Sequence, residues 1–295
     1  MKSKLSVNDQ INHLKNKQIQ FNIMNEEQAI NYLTYNTYYY KLKQYAYAFE
    51  YNKSKHYYIN LEFAYMVELY ELDLYLKEFL APFCILIENL LKTRLINDIT
   101  NNPCEDEYSL VNVLYLKYPY IENNLKRWHP DIIQISIWEL ISFSTLGVFS
   151  RLFNLHYDLY PNNEIKTIRK LIRSLISIRN ATAHDDPLLS NLRVIKDHYS
   201  NRSLFIFLSK ITSISKKTRT TKMKNPLIYN LISILYLFNE ICIDKKLKKR
   251  MYEKLMILLN TRMILNSQYF NQDNLLCSYY HFMVKVIDYL YKNSL

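Results

Sequence analysis

The chain has 295 residues and a net charge of +11, and about half of its residues are hydrophobic. This length allows one large domain or two small ones, and the hydrophobic content is sufficient for a substantial core. The chain contains a single glycine, Gly147. Open α/β sheets and all-β folds need many glycine turns, and phosphate-binding loops need several glycines. The composition therefore excludes P-loop and dinucleotide-binding proteins and favours an all-α fold.

The cysteines and the apolar segments bear on the compartment. Cys84, Cys104, Cys242 and Cys277 are far apart and form no CxxC pair, so zinc-knuckle and redox motifs are absent and a reducing cytoplasm is expected. Residues 1–20 are polar and lack the apolar stretch of a signal peptide. No apolar run reaches the length that crosses a bilayer. We therefore expect a cytoplasmic protein with no membrane partner.

Helical periodicity dominates the first hundred residues. Asn25 is followed by two glutamates, which predicts a helix that begins there and runs towards residue 40. Residues 51–58 read as a loop or a short hairpin. The strongest helical pattern covers residues 61–99, where Pro82 is expected to divide the helix in two or to kink it.

The rest of the chain is also predicted to be helical, apart from a less regular region at residues 104–130. The predicted helices cover residues 131–155, with an interruption at Gly147, and residues 163–183, 191–211, 226–243, 247–266 and 271–291. Residues 213–225 are basic and polar and are predicted to form a linker. This predicts two domains: a helical domain at residues 1–212 and a basic helical extension at residues 213–295.

The positive charge is concentrated in one stretch. Residues 202–262 contain fourteen Lys or Arg and three Asp or Glu, so this stretch accounts for the whole +11 excess. A localised positive field favours a polyanion such as nucleic acid or an anionic membrane, and the alternative is a solvated lysine-rich face. The residues predicted to contact RNA phosphates are Lys216, Lys217, Arg219, Lys222, Lys224, Lys245, Lys246, Lys248, Lys249 and Arg250.

The candidate catalytic residues lie in six consecutive positions, Arg179-Asn180-Ala181-Thr182-Ala183-His184. A metal-free ribonuclease needs a base for the ribose 2′-hydroxyl and a fixed cation for the charge that develops on phosphorus. In a continuous helix Asn180 and His184 share a face, with Arg179 at its flank. The alternative is an ordinary helix end, with Arg179 as a surface charge and His184 opposite the negative end of the helix dipole.

Two parts of the sequence resemble known protein families. Arg179-Asn180-x3-His184 resembles the RNxxxH motif of HEPN-superfamily ribonucleases. Roughly residues 20–200 resemble the Abi-F/Abi-D group of abortive-infection proteins of bacterial phage defence. The residues that carry this second resemblance are Tyr38-Tyr39-Tyr40-Lys41-Leu42, Tyr45, Leu69-Tyr70-Glu71-Leu72-Asp73, Ile87-Glu88, Lys92 and Arg94.

The resemblance implies a HEPN-like helical bundle, here with additional C-terminal helices, that forms a homodimer. It implies RNA cleavage without a metal or cofactor, leaving a 2′,3′-cyclic phosphate. His184 would be the general base or acid, and Arg179 would bind the scissile phosphate. Asn180 would orient either His184 or the phosphate. Glu88 and Lys92 match a charged pair that supports the site in the family, although the pair could equally be an ordinary i,i+4 ion pair.

One departure from the family pattern concerns the residues after His184. Asp185 and Asp186 would repel a phosphate unless they point away, for example towards Arg193.

These observations leave three hypotheses for the function. The first hypothesis is a toxin-like endoribonuclease of a phage-defence system, restrained by a noncoding RNA partner. The second is a non-catalytic RNA-binding protein that acts by sequestration or as a scaffold, and the third is a helical adaptor without RNA affinity.

The tyrosines near residue 40 also allow two interpretations. Tyr35, Tyr38, Tyr39 and Tyr40 could stack on RNA bases. Their helical spacing favours a place in the core, with the hydroxyls at its rim.

Overall fold

The computed structural model describes residues 4–128, 134–196, 201–271 and 273–294. Within these residues the chain is almost entirely helical, which confirms the predicted all-α fold. The β structure there consists of an isolated bridge between Gln20 and Glu62 and one antiparallel hairpin, β1 (Tyr51–Asn52) and β2 (Tyr57–Tyr58). The hairpin lies where the sequence predicted a loop or a hairpin.

The helices are α1 (Val7–Lys15), α2 (Glu26–Tyr35), α3 (Tyr39–Leu42), α4 (Phe63–Thr100), α5 (Ser109–Lys117), α6 (Pro119–Trp128), α7 (Ile137–Phe143), α8 (Leu146–Leu159), α9 (Ile165–Ala183), α10 (Arg202–Ser209), α11 (Lys216–Lys222), α12 (Pro226–Ile241), α13 (Lys245–Asn260) and α14 (Asn274–Lys292). Short 3₁₀ helices cover Lys43–Ala48, Leu189–Asn191, Arg262–Ile264 and Ser267–Phe270.

The chain forms two compact units. Unit 1 consists of Met1–Ala81, Ala181–Ile232 and Asp244–Leu295, and unit 2 consists of Pro82–Asn180 and Ser233–Ile243. These units cut across the predicted division after residue 212, because each unit takes residues from both sides of that position. The chain passes between the units four times: inside α4, inside α9, inside α12, and from Ile243 to Asp244 in the short connection between α12 and α13.

Unit 1 is built on the first half of α4 and on well-capped short helices. The side chains of Ser6 and Asn25 each accept a hydrogen bond from the backbone N–H of the residue three positions later. The side chain of that later residue accepts the backbone N–H of Ser6 or Asn25 in return, so α1 and α2 begin with capping boxes. Phe63, Met66 and Tyr45 are fully buried in its core. The predicted helix start at Asn25 is confirmed, but α2 ends at Tyr35 and a separate short helix, α3, follows.

Unit 2 has its own core. The ring centroids of Phe83 and Phe238 lie 4.9 Å apart, edge to face, and Phe149 and Phe153 are fully buried. The predicted apolar face of α9 is also buried. Its residues are Ile168, Leu171, Ile172, Leu175 and Ile178.

Three predicted elements differ from the structure. Helix α4 is a single 38-residue helix with Pro82 inside it, so of the two alternatives predicted for Pro82 the division into two helices is wrong. Residues 104–130 contain α5 and α6. The predicted helix at 131–155 is two helices, α7 and α8, because Thr145 caps α8 just before Gly147; its residues 131–133 lie outside the described part of the chain.

The predicted helix at residues 191–211 is wrong at its start. Its described residues before α10 form a 3₁₀ turn and an irregular segment, and residues 197–200 are outside the description. The reason is the fully buried Asn225, whose amide donates to the carbonyls of Asn191, Leu192 and Val194 at 3.0 Å each. Those carbonyls are held by a side chain instead of a helix ladder.

The stretch predicted as a linker, residues 213–225, instead contains α11 and ends at Asn225. Asn225 also accepts the Ile228 N–H at 3.1 Å, at the start of α12. Among the described helices, none is both long and apolar enough to span a membrane.

Candidate active site

The six-residue motif lies at the C-terminal end of α9. Arg179 and Asn180 are in its last turns, Ala183 is its last residue, and His184 is the first residue beyond it. Arg179 is half-buried, whereas Asn180 and His184 are exposed. Within the described ranges, the Asn180 and His184 side chains take part in no hydrogen bond. The carboxamide and the imidazole are therefore accessible to a ligand.

The backbone after His184 closes the helix in a defined way. Asp185 has a φ of +54°, and the Asp186 N–H donates to the Ala181 carbonyl at 2.8 Å. This is the six-residue closure of a Schellman motif, in which glycine usually takes the left-handed position. Aspartate enters that region more readily than most residues, but at some cost. His184 thus occupies a fixed C-cap position, and its neighbour needs other interactions to stay there.

Those interactions come from other residues of unit 1, the unit that also contains Asp185. The Lys41 ammonium lies 2.9 Å from one Asp185 carboxylate oxygen and also donates to the Asp185 carbonyl. The Lys77 ammonium lies 2.7 Å from the other carboxylate oxygen and 2.8 Å from the Asp73 carboxylate. Both lysine side chains are buried, so the left-handed residue beside His184 is held by two desolvated cations.

Asp73 is the anchor of this group. It is fully buried and accepts the Tyr45 hydroxyl at 2.6 Å. It also accepts the backbone N–H groups of Leu188 and Leu189 at 3.2 Å and 3.0 Å. We call Lys41, Tyr45, Asp73, Lys77 and Asp185 the Asp73 cluster. The cluster ties the segment that follows His184 to α4 and to the N-terminal helices of unit 1.

The charges of the Asp73 cluster compensate one another. Burial by itself would raise the pKa of Asp185, but the ammonium groups of Lys77 and Lys41 outweigh it and lower that pKa. Burial and the nearby Asp73 carboxylate raise the pKa of Tyr45, so its hydroxyl stays protonated and donates. Two lysines and two aspartates sum to zero charge, and Asp185 therefore adds no uncompensated negative charge beside His184.

The expectation that Asp185 and Asp186 point towards Arg193 is wrong. The Arg193 guanidinium bonds to the Asp273 carboxylate at 2.6 Å and to the Ala48 carbonyl at 2.8 Å. Asp185 is held by the lysines of the Asp73 cluster. Asp186 is exposed, and only its backbone N–H closes the helix. The predicted repulsion of a phosphate therefore rests on Asp186 alone.

Arg179 has a different setting, in unit 2. Burial raises the pKa of the Cys84 thiol to about 12, while the Arg179 charge lowers it and the Glu88 charge raises it further. Because Coulomb interactions weaken with distance, both charged groups lie near this one buried thiol. Glu88, a predicted supporting residue, lies one turn after Cys84 on α4, so the Arg179 and Glu88 charges act on the same buried thiol.

Glu88 and Lys92 form the ion pair expected from their spacing. Their charged atoms are 2.8 Å apart, and both side chains are largely buried. The Lys92 ammonium also lies 5.9 Å from the centre of the Phe149 ring. The pair packs inside unit 2, which suits a supporting role better than direct contact with RNA.

The predicted RNA-binding residues form two groups, with Lys224 half-buried just after the first group and Lys222 as an exception. Lys216, Lys217 and Arg219 lie in α11, whose N-cap is Ser215. Lys222 is the exception, because it is buried, donates to the Ser278 hydroxyl and lies 3.9 Å from the Tyr279 ring centre. Burial lowers the pKa of Lys222. This side chain is engaged inside unit 1.

The second group begins α13. Lys245, Lys246 and Lys248 follow the N-cap Asp244 in the first turn, and Lys249 and Arg250 come next. All are exposed except the half-buried Lys248. Lysines at this end of a helix oppose its dipole, so they destabilise α13 unless an anion binds there. Both basic groups combine side-chain charge with the positive end of a helix.

A cleft of about 450 Å³ lies elsewhere in unit 2. Its lining includes Asn97, Asn101, Asn162, His156 and Tyr160, and none of the predicted site residues. The His156 imidazole lies 3.1 Å from the Glu105 carboxylate, and both side chains are buried. Across the described residues, no group of three or more His, Cys, Asp or Glu is arranged to hold a metal ion.

Sequence reasoning missed Lys77, although it lies four residues after Asp73 on a helix. That i,i+4 spacing of opposite charges is a readable signal for an ion pair. Lys41, Tyr45 and Asp73 were singled out for family resemblance only. The contacts of Lys41 and Asp73 with residues 185–189 join parts of the chain more than 100 residues apart, and Tyr45 joins them through Asp73. No local pattern reports these contacts.

Removing the Asp73 carboxylate should release the segment after His184. In Asp73→Ala, we expect the Leu188 and Leu189 amides to exchange hydrogen at least about tenfold faster, because they lose their acceptor. Glu78→Ala, an exposed acid on the same helix, is the matched control and should change nothing. Hydrogen exchange resolved to these amides makes the measurement, and unchanged exchange in Asp73→Ala contradicts the anchor.

Asp185 should contribute stability in a defined pH window. Its folded pKa is lowered, so the contribution is present above the ordinary aspartate pKa of about 3.9 and is lost as pH falls through the folded value. At pH 7 we expect Asp185→Asn to lower the free energy of unfolding by about 1 kcal/mol, because the half-exposed carboxylate is screened by solvent. Urea titrations from pH 7 to pH 3 should show this difference shrink below about pH 4.

Asp186→Asn is the matched control for that series. Among the described contacts the Asp186 side chain has no ion pair, so its stability should follow the wild type at every pH. An equal effect of both substitutions would show that net charge, rather than the Asp73 cluster, sets the stability.

Comparison with known proteins supports the resemblance to abortive-infection proteins. A search of curated proteins and a search of solved structures found no match. A model of the family described as "Abi-like protein" matches residues 31–190, more than half of the chain. This match includes Lys41, Asp73, Lys77 and the motif at 179–184. The chain belongs to the Abi-like protein family.

Proposed function

We propose that the protein is a toxin-like endoribonuclease of the HEPN superfamily that acts in phage defence. Membership of the Abi-like family supports a role in abortive infection, the coarser part of this proposal. The finer part rests on the end of α9. There, an exposed imidazole and an exposed carboxamide follow a half-buried arginine. The observation that carries the proposal is that His184 is exposed while the segment after it is anchored by the Asp73 cluster.

The proposed reaction needs no group beyond these side chains. His184 takes the proton from a ribose 2′-hydroxyl, and that oxygen attacks the adjacent phosphorus. The bond from phosphorus to the 5′-oxygen breaks, and the 5′-oxygen leaves with a proton returned by a protonated imidazole. Arg179 stabilises the charge on the phosphoryl oxygens. The products are a 2′,3′-cyclic phosphate and a 5′-hydroxyl. Asn180 orients the phosphate or His184.

The compensated charge of Asp185 favours catalysis over sequestration. An uncompensated pair of acids beside the imidazole was the main support for a non-catalytic RNA-binding protein. Asp185 now bonds to Lys41 and Lys77, so only Asp186 opposes an approaching phosphate. A single exposed carboxylate is screened by salt and acts weakly.

We further propose that the protein acts as a cytoplasmic homodimer restrained by a noncoding RNA. In a homodimer, two copies of the motif could line one cleft and share the roles of base and acid. The basic first turn of α13 supports the RNA partner, because its lysines add side-chain charge to the N-terminus of a 16-residue helix. The exposed Lys216 and Lys217 of α11 add further positive charge. We leave the buried Lys222 out of this surface.

Cleavage should depend on the motif. We expect His184→Ala and Arg179→Ala each to lower the cleavage rate by at least about a hundredfold, because each removes a group that acts on the reacting atoms. The rate is measured on a labelled RNA in EDTA, and mass spectrometry should show a cyclic phosphate end. His281→Ala and Arg173→Ala, exposed residues of the same types, are the controls. Arg173 lies on α9 as well.

Two results separate the hypotheses. Lost cleavage with retained RNA binding in His184→Ala supports the enzyme. Unchanged growth arrest in cells that express His184→Ala rules out catalysis as the source of toxicity and leaves sequestration.

RNA affinity should fall steeply with salt if α13 contacts phosphates. The double variant Lys245→Gln/Lys246→Gln should reduce the slope of log affinity against log salt by about one to two, since each lost phosphate contact removes about 0.7 to 0.9. Lys126→Gln/Lys292→Gln removes two lysines that pair with Glu122 and Asp288 on their own helices. This control should leave the slope unchanged. A flat salt dependence in the wild type contradicts the basic surface altogether.

A further inference from the structure

Unit 1 carries two exposed tyrosines, Tyr40 on α3 and Tyr47 on the 3₁₀ helix that follows it. Of the four tyrosines that the sequence favours for the core, only Tyr39 is buried. Tyr40 is 48% exposed, and Tyr47 in the following 3₁₀ helix is 57% exposed. Large aromatic rings left in water in a group point to a binding surface.

Tyr39 fixes the position of its neighbours. Its hydroxyl lies 2.7 Å from the Nδ1 atom of His13, and its ring centroid lies 5.2 Å from that of Tyr40 at 72°. Burial is the main cause that raises the pKa of Tyr39 to about 12, and the phenol groups of Tyr40 and Tyr47 raise this pKa further. Tyr40 is therefore braced edge-on against the buried Tyr39 ring, and Tyr47 lies in the 3₁₀ helix that directly follows α3.

The β-hairpin extends this aromatic surface. Tyr51 pairs with Tyr58 across the hairpin, with ring centroids 4.8 Å apart. Tyr58 is buried, and its backbone N–H donates to the Lys17 carbonyl at 3.0 Å. The hairpin thus lies beside the segment that follows α1, the helix that carries His13.

Lysines border the same surface. The Lys43 ammonium lies 5.6 Å from the centre of the Tyr39 ring. The Lys17 ammonium donates to the His56 carbonyl in the turn of the hairpin at 3.2 Å, and after burial the charges of Lys43 and Lys17 lower the pKa of His13. Lys53 and Lys55 are exposed in the turn of the hairpin, and Glu50 is an exposed acid beside it. The border of the surface is therefore mainly positive.

We infer that this surface, Tyr40 and Tyr47 bordered by Lys17 and Lys43, binds unpaired RNA. Bases stack on the two phenol rings, and the ammonium groups contact the phosphates, the combination typical of sites for single strands. A second copy of the chain fits less well, because a two-fold contact through this surface would bring like-charged lysines together. The inference rests on the proposed function for its ligand class and adds a selectivity for single strands.

The test compares single-stranded and duplex RNA on the full-length chain. In a His184→Ala background, with the RNA checked by gel to be intact after each titration, the probes are a 12-nucleotide RNA carrying 2-aminopurine and a 12-base-pair duplex. Tyr40→Ala/Tyr47→Ala should weaken binding of the single strand about fivefold or more for each ring and should abolish the stacking-dependent quenching of 2-aminopurine. Binding of the duplex should not change, because its bases are already stacked.

Two controls keep the result specific. Tyr40→Phe/Tyr47→Phe keeps the rings and should bind as the wild type does, which separates stacking from loss of a hydroxyl. Tyr108→Ala removes an exposed tyrosine of unit 2 and should have no effect. An unchanged affinity for the single strand in the double alanine variant overturns the inference, as does an equal loss for the duplex.

Other outcomes are assigned as follows. If the double alanine variant changes the sedimentation coefficient of the protein but not its affinity for RNA, the surface is a protein interface and the inference is wrong. If the motif variants lose cleavage while the tyrosine variants bind normally, only this inference fails. If the tyrosine variants lose the single strand while Arg179→Ala and His184→Ala still cleave, only the proposed active site fails.

Discussion

The position of the segment that follows α9 depends on one buried carboxylate, Asp73, whose lost hydration must be offset by hydrogen bonds and a cation. A fully buried aspartate is costly unless hydrogen bonds and a cation offset its lost hydration. Asp73 obtains these from Tyr45, Lys77 and the backbone N–H groups of Leu188 and Leu189. Because the two amides belong to the segment just after His184, satisfying Asp73 also fixes where that segment lies. The candidate catalytic residue is therefore exposed without being loosely attached.

The same compensation explains why an aspartate follows the histidine. Glycine would close the helix at position 185 with less backbone strain. Glycine, however, would leave Lys41 without its carboxylate partner in a buried position and Lys77 with Asp73 alone. Asp185 thus serves the backbone closure and the charge balance together. Family resemblance alone would count Asp185 as a defect of the site, whereas its contacts make it part of the support.

Sequence reasoning succeeded where the signal was local. The cap at Asn25, the apolar face of α9 and its end at Ala183 all follow from spacings of a few residues. It failed where the deciding partner is distant in sequence. Residues 191–196 have an apolar pattern compatible with a helix, yet the amide of Asn225 takes the carbonyls of three of them. Lys222 was counted with the other lysines, because its burial against Tyr279 on α14 is not visible in a charge count.

Charge and aromatic rings suit different parts of one RNA ligand. Lysines at helix N-termini attract any phosphate chain, so they supply affinity and rate of association without distinguishing paired from unpaired RNA. Exposed rings gain from a base only when that base is not already stacked in a duplex. A protein that carries both favours a structured RNA with unpaired segments over a plain duplex. Cleavage through a 2′-hydroxyl also requires the in-line geometry that a flexible, unpaired linkage reaches most easily, so selectivity for single strands would serve the proposed chemistry as well as binding.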